Sequence, residues 1–210
     1  MEARLGPKER REREREEIRT AILDAARELF ASDGYEAVTM RRIAEKIEYS
    51  PTAIYFHFRD KDALVRALCD HDFLQLAQQF AEVATIEDPL EKLTRTGMAY
   101  LRFGLEYPNH YRLMFMTPHP PLSPEESEVK HGNPEEDAYA FLKSIVDEAI
   151  AKGIFHESDA ELVSQIVWAG VHGVISLQIA KCNDAWIDWR PLEQRSAFMI
   201  RTLIAGLAKE

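Results

Sequence analysis

Between Thr39 and Lys61 the chain collects side chains that share one kind of chemistry, hydrogen-bond donation from a compact span: Thr39, Arg41, Ser50, Thr52, Tyr55, His57 and Lys61. Hydroxyls, an imidazole, a guanidinium and an ammonium suit the phosphate oxygens and base edges of nucleic acid. Pro51 and Ala53 offer only apolar contact, for example to a thymine methyl. Nothing comparable points to catalysis: the chain has no G-x-S-x-G, no H-E-x-x-H and no glycine-rich phosphate loop. Its seven histidines are scattered, without metal-ligand spacing beside a carboxylate cluster. The expectation is a binding protein, not an enzyme, with no cofactor and no metal.

Such donors need a rigid frame, and the pattern around them is helical. Ile18, Ile22, Ala25, Ala26, Leu29 and Phe30 recur at three- and four-residue steps. Asp33-Gly34-Tyr35 ends that helix, with Gly34 able to take a left-handed cap. Thr39 caps a second helix through Met40, Ile43, Ala44 and Ile47. After a break at Glu48-Tyr49, Ser50-Pro51 pairs an N-cap with proline at the first helical position and opens a very short third helix. Two short helices joined by a tight turn form a helix-turn-helix, which lays its second helix in the major groove of DNA.

Beyond the head, Asp60 caps a long fourth helix, Asp88-Pro89 opens a fifth and Pro108 a sixth. Residues 117–134 hold five of the ten prolines and read as a loop, functional or mobile. A seventh helix is expected from about Pro134 to Lys152, an eighth from Ser158 to about Lys181 and a ninth from Pro191. The fold class is all-α, with a head at residues 1–64 and a body at 65–210.

The net charge of −10 argues at first against nucleic acid. Its distribution changes that: residues 1–62 carry 13 Lys and Arg against 14 Asp and Glu, and the remainder 13 against 22. A near-neutral head with an acidic body is compatible with a head that touches phosphates and a body that stays off them. The alternating run from Lys8 to Glu17 reads either as a solvated helix extension or as an arm that follows a groove with Arg10, Arg11 or Arg13. Cys69 and Cys182 lack a C-x-x-C spacing, and charges follow Met1 where a signal peptide would be apolar. With no uninterrupted apolar run near ~18 residues, the expectation is a cytoplasmic protein without membrane attachment.

The stretch Gly34-Tyr35, Thr39, Arg41, Ile43-Ala44, Ser50, Ile54-Tyr55, His57-Phe58, Lys61-Asp62 and Leu64 resembles the tetracycline-repressor (TetR) family of bacterial regulators. The resemblance implies nine helices, binding of a double-stranded DNA operator by the second and third, and a homodimer formed through the eighth and ninth. It makes Thr39, Arg41, Ser50, Thr52, Ala53, Tyr55, His57 and Lys61 the expected DNA-binding residues, with Tyr55, His57 and Lys61 gripping mainly backbone. His57 could instead be a satisfied core histidine. The turn departs from the family pattern, since Glu48-Tyr49 stands where glycine and a small aliphatic residue are usual; a positive φ there would strain Glu48.

In the body, Tyr111-Arg112-Leu113-Met114-Phe115 and Trp168 with His172-Gly173 resemble the WHG-type C-terminal domain of some family members. The family's effector cavity makes Phe103, Tyr107, Tyr111, Met114, Phe115, Trp168 and His172 candidate ligand contacts, each with packing as the rival role. Val163, Val167, Gly170, Val174, Leu192, Met199, Leu203 and Leu207 form stripes that suit a four-helix dimer interface or the subunit's own core. The function implied is a repressor released from a palindromic operator by a small hydrophobic effector. Two alternatives are an architectural DNA-binding protein without sequence preference, which the acidic body opposes, and a ligand-binding dimer without operator specificity.

Overall fold

The caps that the sequence supplies set the frame. In a computed structural model that describes residues 6–119 and 124–209, Thr39, Ser50, Asp60, Asp88, Asp137 and Asp159 each accept a backbone N–H with their side chains at a helix start. Each such cap stabilises its helix by about 1 kcal/mol. Among the described residues there are nine α-helices and no strand: α1 (Pro7–Ala37), α2 (Met40–Lys46), α3 (Pro51–His57), α4 (Lys61–Ala81), α5 (Pro89–Glu106), α6 (Pro108–Phe115), α7 (Ala138–Ala151), α8 (Ala160–Lys181) and α9 (Leu192–Leu207). Gly34 interrupts α1 with φ 79° and ψ 166°, a conformation open essentially to glycine alone.

The chain builds two apolar cores. Ile22, Phe30, Ile43, Ala44, Ile54 and Leu64 are fully buried in the head, together with Leu68 of α4 and Leu113 of α6. The body core joins α4 to α9 around Phe103, Tyr111, Ile145, Val146 and Ile175. The helix α6 therefore serves both, with Leu113 in the head core and Tyr111 and Met114 in the body core. A buried ion pair fixes the same junction. Arg27 of α1 donates to both oxygens of Asp72 on α4, at 2.9 and 3.3 Å, while its third nitrogen reaches Asp24 at 2.9 Å. His110 of α6 lies 3.0 Å from the same carboxylate.

Two expectations need correction. The seventh helix starts at Ala138, not near Pro134, because Asp137 takes the cap. Its Oδ1 accepts the Tyr139 and Ala140 N–H groups, and Asn133 closes a turn before it. The described part of the 117–134 segment is also not free. A 3₁₀ turn at Pro124–Glu126 leads into residues that grip α4, where Asp70 accepts the Ser127 hydroxyl at 2.7 Å and the Glu128 N–H at 2.9 Å. Glu126 pairs with Arg66 at 2.5 Å. Residues 120–123 of that segment lie outside the described residues.

No charged side chain stands between Glu161 and Lys181 in α8, and by length and a mean hydropathy of 1.5 that helix could cross a membrane. Its apolar residues divide into two stripes. Val163, Val167, Val171 and Ile175 are buried in the body core, whereas Leu162, Ile166 and Leu177 are each about half exposed.

Candidate nucleic-acid interface and effector cavity

The turn between α2 and α3 is a six-residue C-cap. Tyr49 N–H reaches Ala44 O at 2.9 Å and Glu48 N–H reaches Glu45 O at 3.3 Å, the paired bonds of a Schellman motif. That motif needs a left-handed residue, and Glu48 supplies it at φ 60°. Fully buried Ile43, Ala44 and Ile54 lock α3 onto α2, so α3 turns its other side outward. Thr52, Pro51 and Ser50 are exposed, as are Tyr49, Tyr55 and Phe56, the last at 71%. Ala53 is half-buried.

The polar groups are not all free to reach a ligand. Thr39 and Ser50 use their oxygens as caps, at 3.2 Å each, which leaves each hydroxyl proton free to donate. Exposed Arg41 is held only by exposed Glu45, at 3.0 Å. Lys61 is partly engaged within the head. Its ammonium donates to the carbonyls of Tyr35 at 2.9 Å and Val38 at 3.1 Å and lies over the Tyr35 ring. Its main work is closing the α1–α2 turn, with one N–H left over. Tyr35 in turn donates to Asp62, and burial, then that bond and the Asp62 charge, raise the phenol's pKa.

His57 is half-buried at the end of α3, edge-on to Phe56. Burial, then the charges of Arg15 and Arg19, hold its pKa below the ordinary value. Those two arginines escaped the sequence reading. The Arg15 guanidinium stacks over Phe56 at 5.4 Å and that of Arg19 over Phe58 at 4.6 Å. The charge run is thus a continuous helix docked beside α3. Its alternation in sequence resolves into faces. Lys8, Arg11, Arg15 and Arg19 follow three- and four-residue steps along the stripe that ends at buried Ile22, with Glu12 at its border paired to Lys8, while Glu9, Glu14, Glu16 and Glu17 fall outside it.

In the body, α4 to α8 enclose a cavity of about 740 Å³. Phe73, Leu76 and Phe80 of α4, Leu93 and Tyr100 of α5, and Met114 and Phe115 of α6 form three walls. Val129, His131 and Asp137 close one side ahead of Tyr139 and Leu142 of α7, and α8 contributes Glu161, Gln165, Val167, Trp168 and Val171. Of the candidate ligand contacts, Met114, Phe115 and Trp168 line this space. Phe103, Tyr107, Tyr111 and His172 do not. The bundle closes beyond Tyr100, where a Cβ on Gly104 would sit 2.5 Å from Ile175 and 3.1 Å from the Tyr111 ring. Phe103 is sealed there, and Tyr107 faces a separate cleft between α1 and α6 beside Arg27 and His110.

Tyr111 and His172 instead anchor a chain of hydrogen bonds behind the wall. The Trp168 indole N–H reaches the Tyr100 hydroxyl at 3.1 Å, which lies 3.0 Å from that of Tyr111, and Tyr111 lies 2.6 Å from His172 Nδ1. An indole can only donate, so Tyr100 accepts from Trp168; the sense of the bonds beyond it follows the tautomer of His172, whose Nδ1 also lies 3.3 Å from the Tyr100 hydroxyl. Burial keeps His172 neutral by lowering its pKa, and pushes Tyr100 up to about 12 and Tyr111 higher still. Arg112 takes no part and turns to Asn109 and the Ile179 carbonyl.

Of the two roles open to the stripes on α8 and α9, the structure shows packing in the subunit's own core. Val163, Val167, Leu192 and Met199 pack into the subunit's own core, and Gly170 lets Leu203 and Met199 approach to 2.7 and 2.9 Å of where a Cβ would stand. Val174 and Leu207 are partly buried against the same core. The outward stripe is the neighbouring one: Leu162, Ile166, Ala169, Gly173 and Leu177 on α8, with Phe198 and Ala205 on α9.

Residues 22–68 match the family model for bacterial regulatory proteins of the tetR family, and residues 93–203, more than half of the chain, match that for the tetracyclin repressor-like C-terminal domain. The chain belongs to the TetR family. Among curated relatives it is similar to the transcriptional repressor AcnR of Corynebacterium diphtheriae, 42% identical over 69 residues, and to the transcriptional regulator UidR of Escherichia coli K12, 35% identical over 78 residues. These matches take in 33% and 37% of this chain and 36% and 37% of the relatives, so they span about a third of each protein. The whole fold is shared with a TetR-family regulator of Marinobacter aquaeolei, with TM-score 0.74 and 21% identity over 96% of this chain and 100% of that one. It is shared likewise with PfmR of Thermus thermophilus, with TM-score 0.69 and 24% identity over 90% and 99%.

Proposed function

We propose that the chain is a dimeric, sequence-specific DNA-binding regulator, acting as a repressor that a small ligand in the body cavity releases from a palindromic operator. One observation carries this reading: α3 is buried along Ile54 alone and turns Thr52, Tyr55 and Phe56 outward on a seven-residue helix braced by two caps. A helix with so little core to fill is a presentation element. Thr39, Arg41, Ser50, Ala53 and His57 border the same surface, with Arg41 reading a base edge and Tyr55 and His57 holding backbone.

Association through the exposed stripe of α8 and α9 would remove Leu162, Ile166, Leu177 and Phe198 from water and explain the apolarity of α8 without a membrane. Two heads on such a dimer reach half-sites about 34–36 Å apart. Coupling to the cavity runs through α6. A ligand that presses on Phe115 and Met114 shifts the helix that also carries Leu113 in the head core, and so favours one spacing of the heads over another.

The test is selection of bound fragments from a random-sequence duplex pool, with subunit number measured by sedimentation. The expected result is an inverted repeat bound by a dimer. Arg41→Ala should lose about 1–3 kcal/mol of preference at one base pair per half-site, whereas Tyr55→Phe should weaken all duplexes alike. A monomer in solution, or an enriched pool with no shared sequence, would refute the proposal.

A further inference from the structure

The chemistry of the cavity narrows what it binds, granted that it is the effector site as proposed above. Its described lining contains two carboxylates, Asp137 and Glu161, and neither lysine nor arginine. Asp137 stays ionised. Burial would raise its pKa, but N–H bonds from Gly132, Ala140 and Tyr139 and the contact with His131 outweigh that and lower it. Its charge is nonetheless largely taken up by those backbone donors. Glu161 differs: its carboxylate, at the exposed rim, accepts only the Tyr139 hydroxyl at 2.5 Å and the Gln165 amide at 3.1 Å.

The nearby cations are bonded to other groups. Arg112 is turned to the Ile179 carbonyl, and Lys143 of α7, which interacts with the Glu161 charge, is bonded to Asp147 at 2.9 Å. The walls beside Glu161 are aromatic. Trp168 lies 5.9 Å from Tyr139 and 6.0 Å from Phe115, with rings inclined at 59° and 66°. Inclined rings leave π faces uncovered, and such faces attract cations. Of the basic groups nearby, His131 is taken by Asp137 and Lys143 is bonded to Asp147, so an anion would meet the Glu161 charge without a cation aimed into the cavity.

We infer that the cavity takes a lipophilic monocation, its apolar body among Phe80, Leu142 and Val171 and its positive centre at the rim between Trp168, Tyr139 and Glu161. A volume of about 740 Å³ accommodates a ligand of drug size.

The test uses three aryl probes matched in shape: tetraphenylphosphonium, tetraphenylborate and neutral triphenylphosphine oxide. Each is titrated into the full-length protein carrying W186F and W189F, in which Trp168 is the sole tryptophan and its quenching reports occupancy. The cation should bind at least ~10-fold more tightly than the anion, a difference of about 1.4 kcal/mol, with the neutral probe between them. Glu161→Gln, which keeps the bond to Tyr139, should shrink that preference several-fold. If the anion or the neutral probe binds as tightly as the cation, the charge selectivity is wrong while the cavity remains the site. If none of the three quenches Trp168, the effector-site reading falls with it. A preference that survives Glu161→Gln undiminished overturns the role given to that carboxylate.

Discussion

Replacing Glu48 by glycine isolates the strain in the turn that sets α3. Among the described residues Glu48 is the one non-glycine with positive φ, at 60°. A side chain in the left-handed region costs roughly 1–2 kcal/mol. Glycine removes that cost but adds about 0.4–1 kcal/mol through the freedom it gives the unfolded chain. The net gain expected for Glu48→Gly is about 0.5–1 kcal/mol. For a chain of this size each kcal/mol moves Tm by ~2–4 °C, so the variant should melt about 1–4 °C higher. Loss of the carboxylate could by itself mimic part of this, because Glu48 sits at the negative end of α2. Glu48→Ala is the control: it removes the charge and keeps the Cβ. Calorimetric melting of the three proteins decides the matter. Should glycine prove no more stable than alanine, the strain argument is wrong.

Three other perturbations follow from geometry already described. Gly104→Ala would drive a Cβ to 2.5 Å from Ile175; overpacking of this kind costs about 1–3 kcal/mol, and an unchanged denaturation midpoint would show that α5 and α8 can part. Burial holds the folded pKa of His172, which is bonded to Tyr111, below the ordinary value near 6.5. The unfolded chain then binds the extra proton first, so stability should fall as pH drops through about 6.5. His172→Gln should flatten that slope in urea titrations, and an identical slope would remove His172 as its cause. On α1, reversing Arg11 and Arg15 to Glu should weaken operator binding and lower the slope of log affinity against log salt by about 2. The same change at Arg10 and Arg13, on the opposite face, should do markedly less; equal effects would mean that general charge, not the stripe, matters.

Local signals were legible in the sequence wherever one residue decides the backbone. Ser50-Pro51 and Asp88-Pro89 start helices, Gly34 breaks one, and Glu48 stands where positive φ is needed. What a single helix could not disclose was direction. The helix α8 is apolar on two adjacent stripes, and only the packing of α5 and α7 against it determines that Val163 and Val167 turn inward while Leu162 and Ile166 turn out. The same limit governed the cavity. Tyr100 and Phe103 are three residues apart on α5, yet one lines the space and the other lies behind it, because Gly104 lets Ile175 seal the bundle between them. Lys61 reads as a phosphate contact, and nothing in the sequence singles out Arg15 or Arg19; in the fold the three cover the rings of Tyr35, Phe56 and Phe58. Their long aliphatic stems make that role available to any basic residue beside an aromatic one.

The sharing of α6 between two cores bears on how this architecture can be recombined. A graft that joins residues 1–64 to a foreign body would cut the chain where the sequence changes character, yet it would leave behind Leu68 and Leu113, which complete the head core around Ile22 and Phe30. Transplanting α6 with the head would instead strip Tyr111 from its bond to His172. A working hybrid therefore has to rebuild both sides of a single eight-residue helix. Changes in effector preference should come more readily by altering the cavity walls in place than by exchanging whole modules.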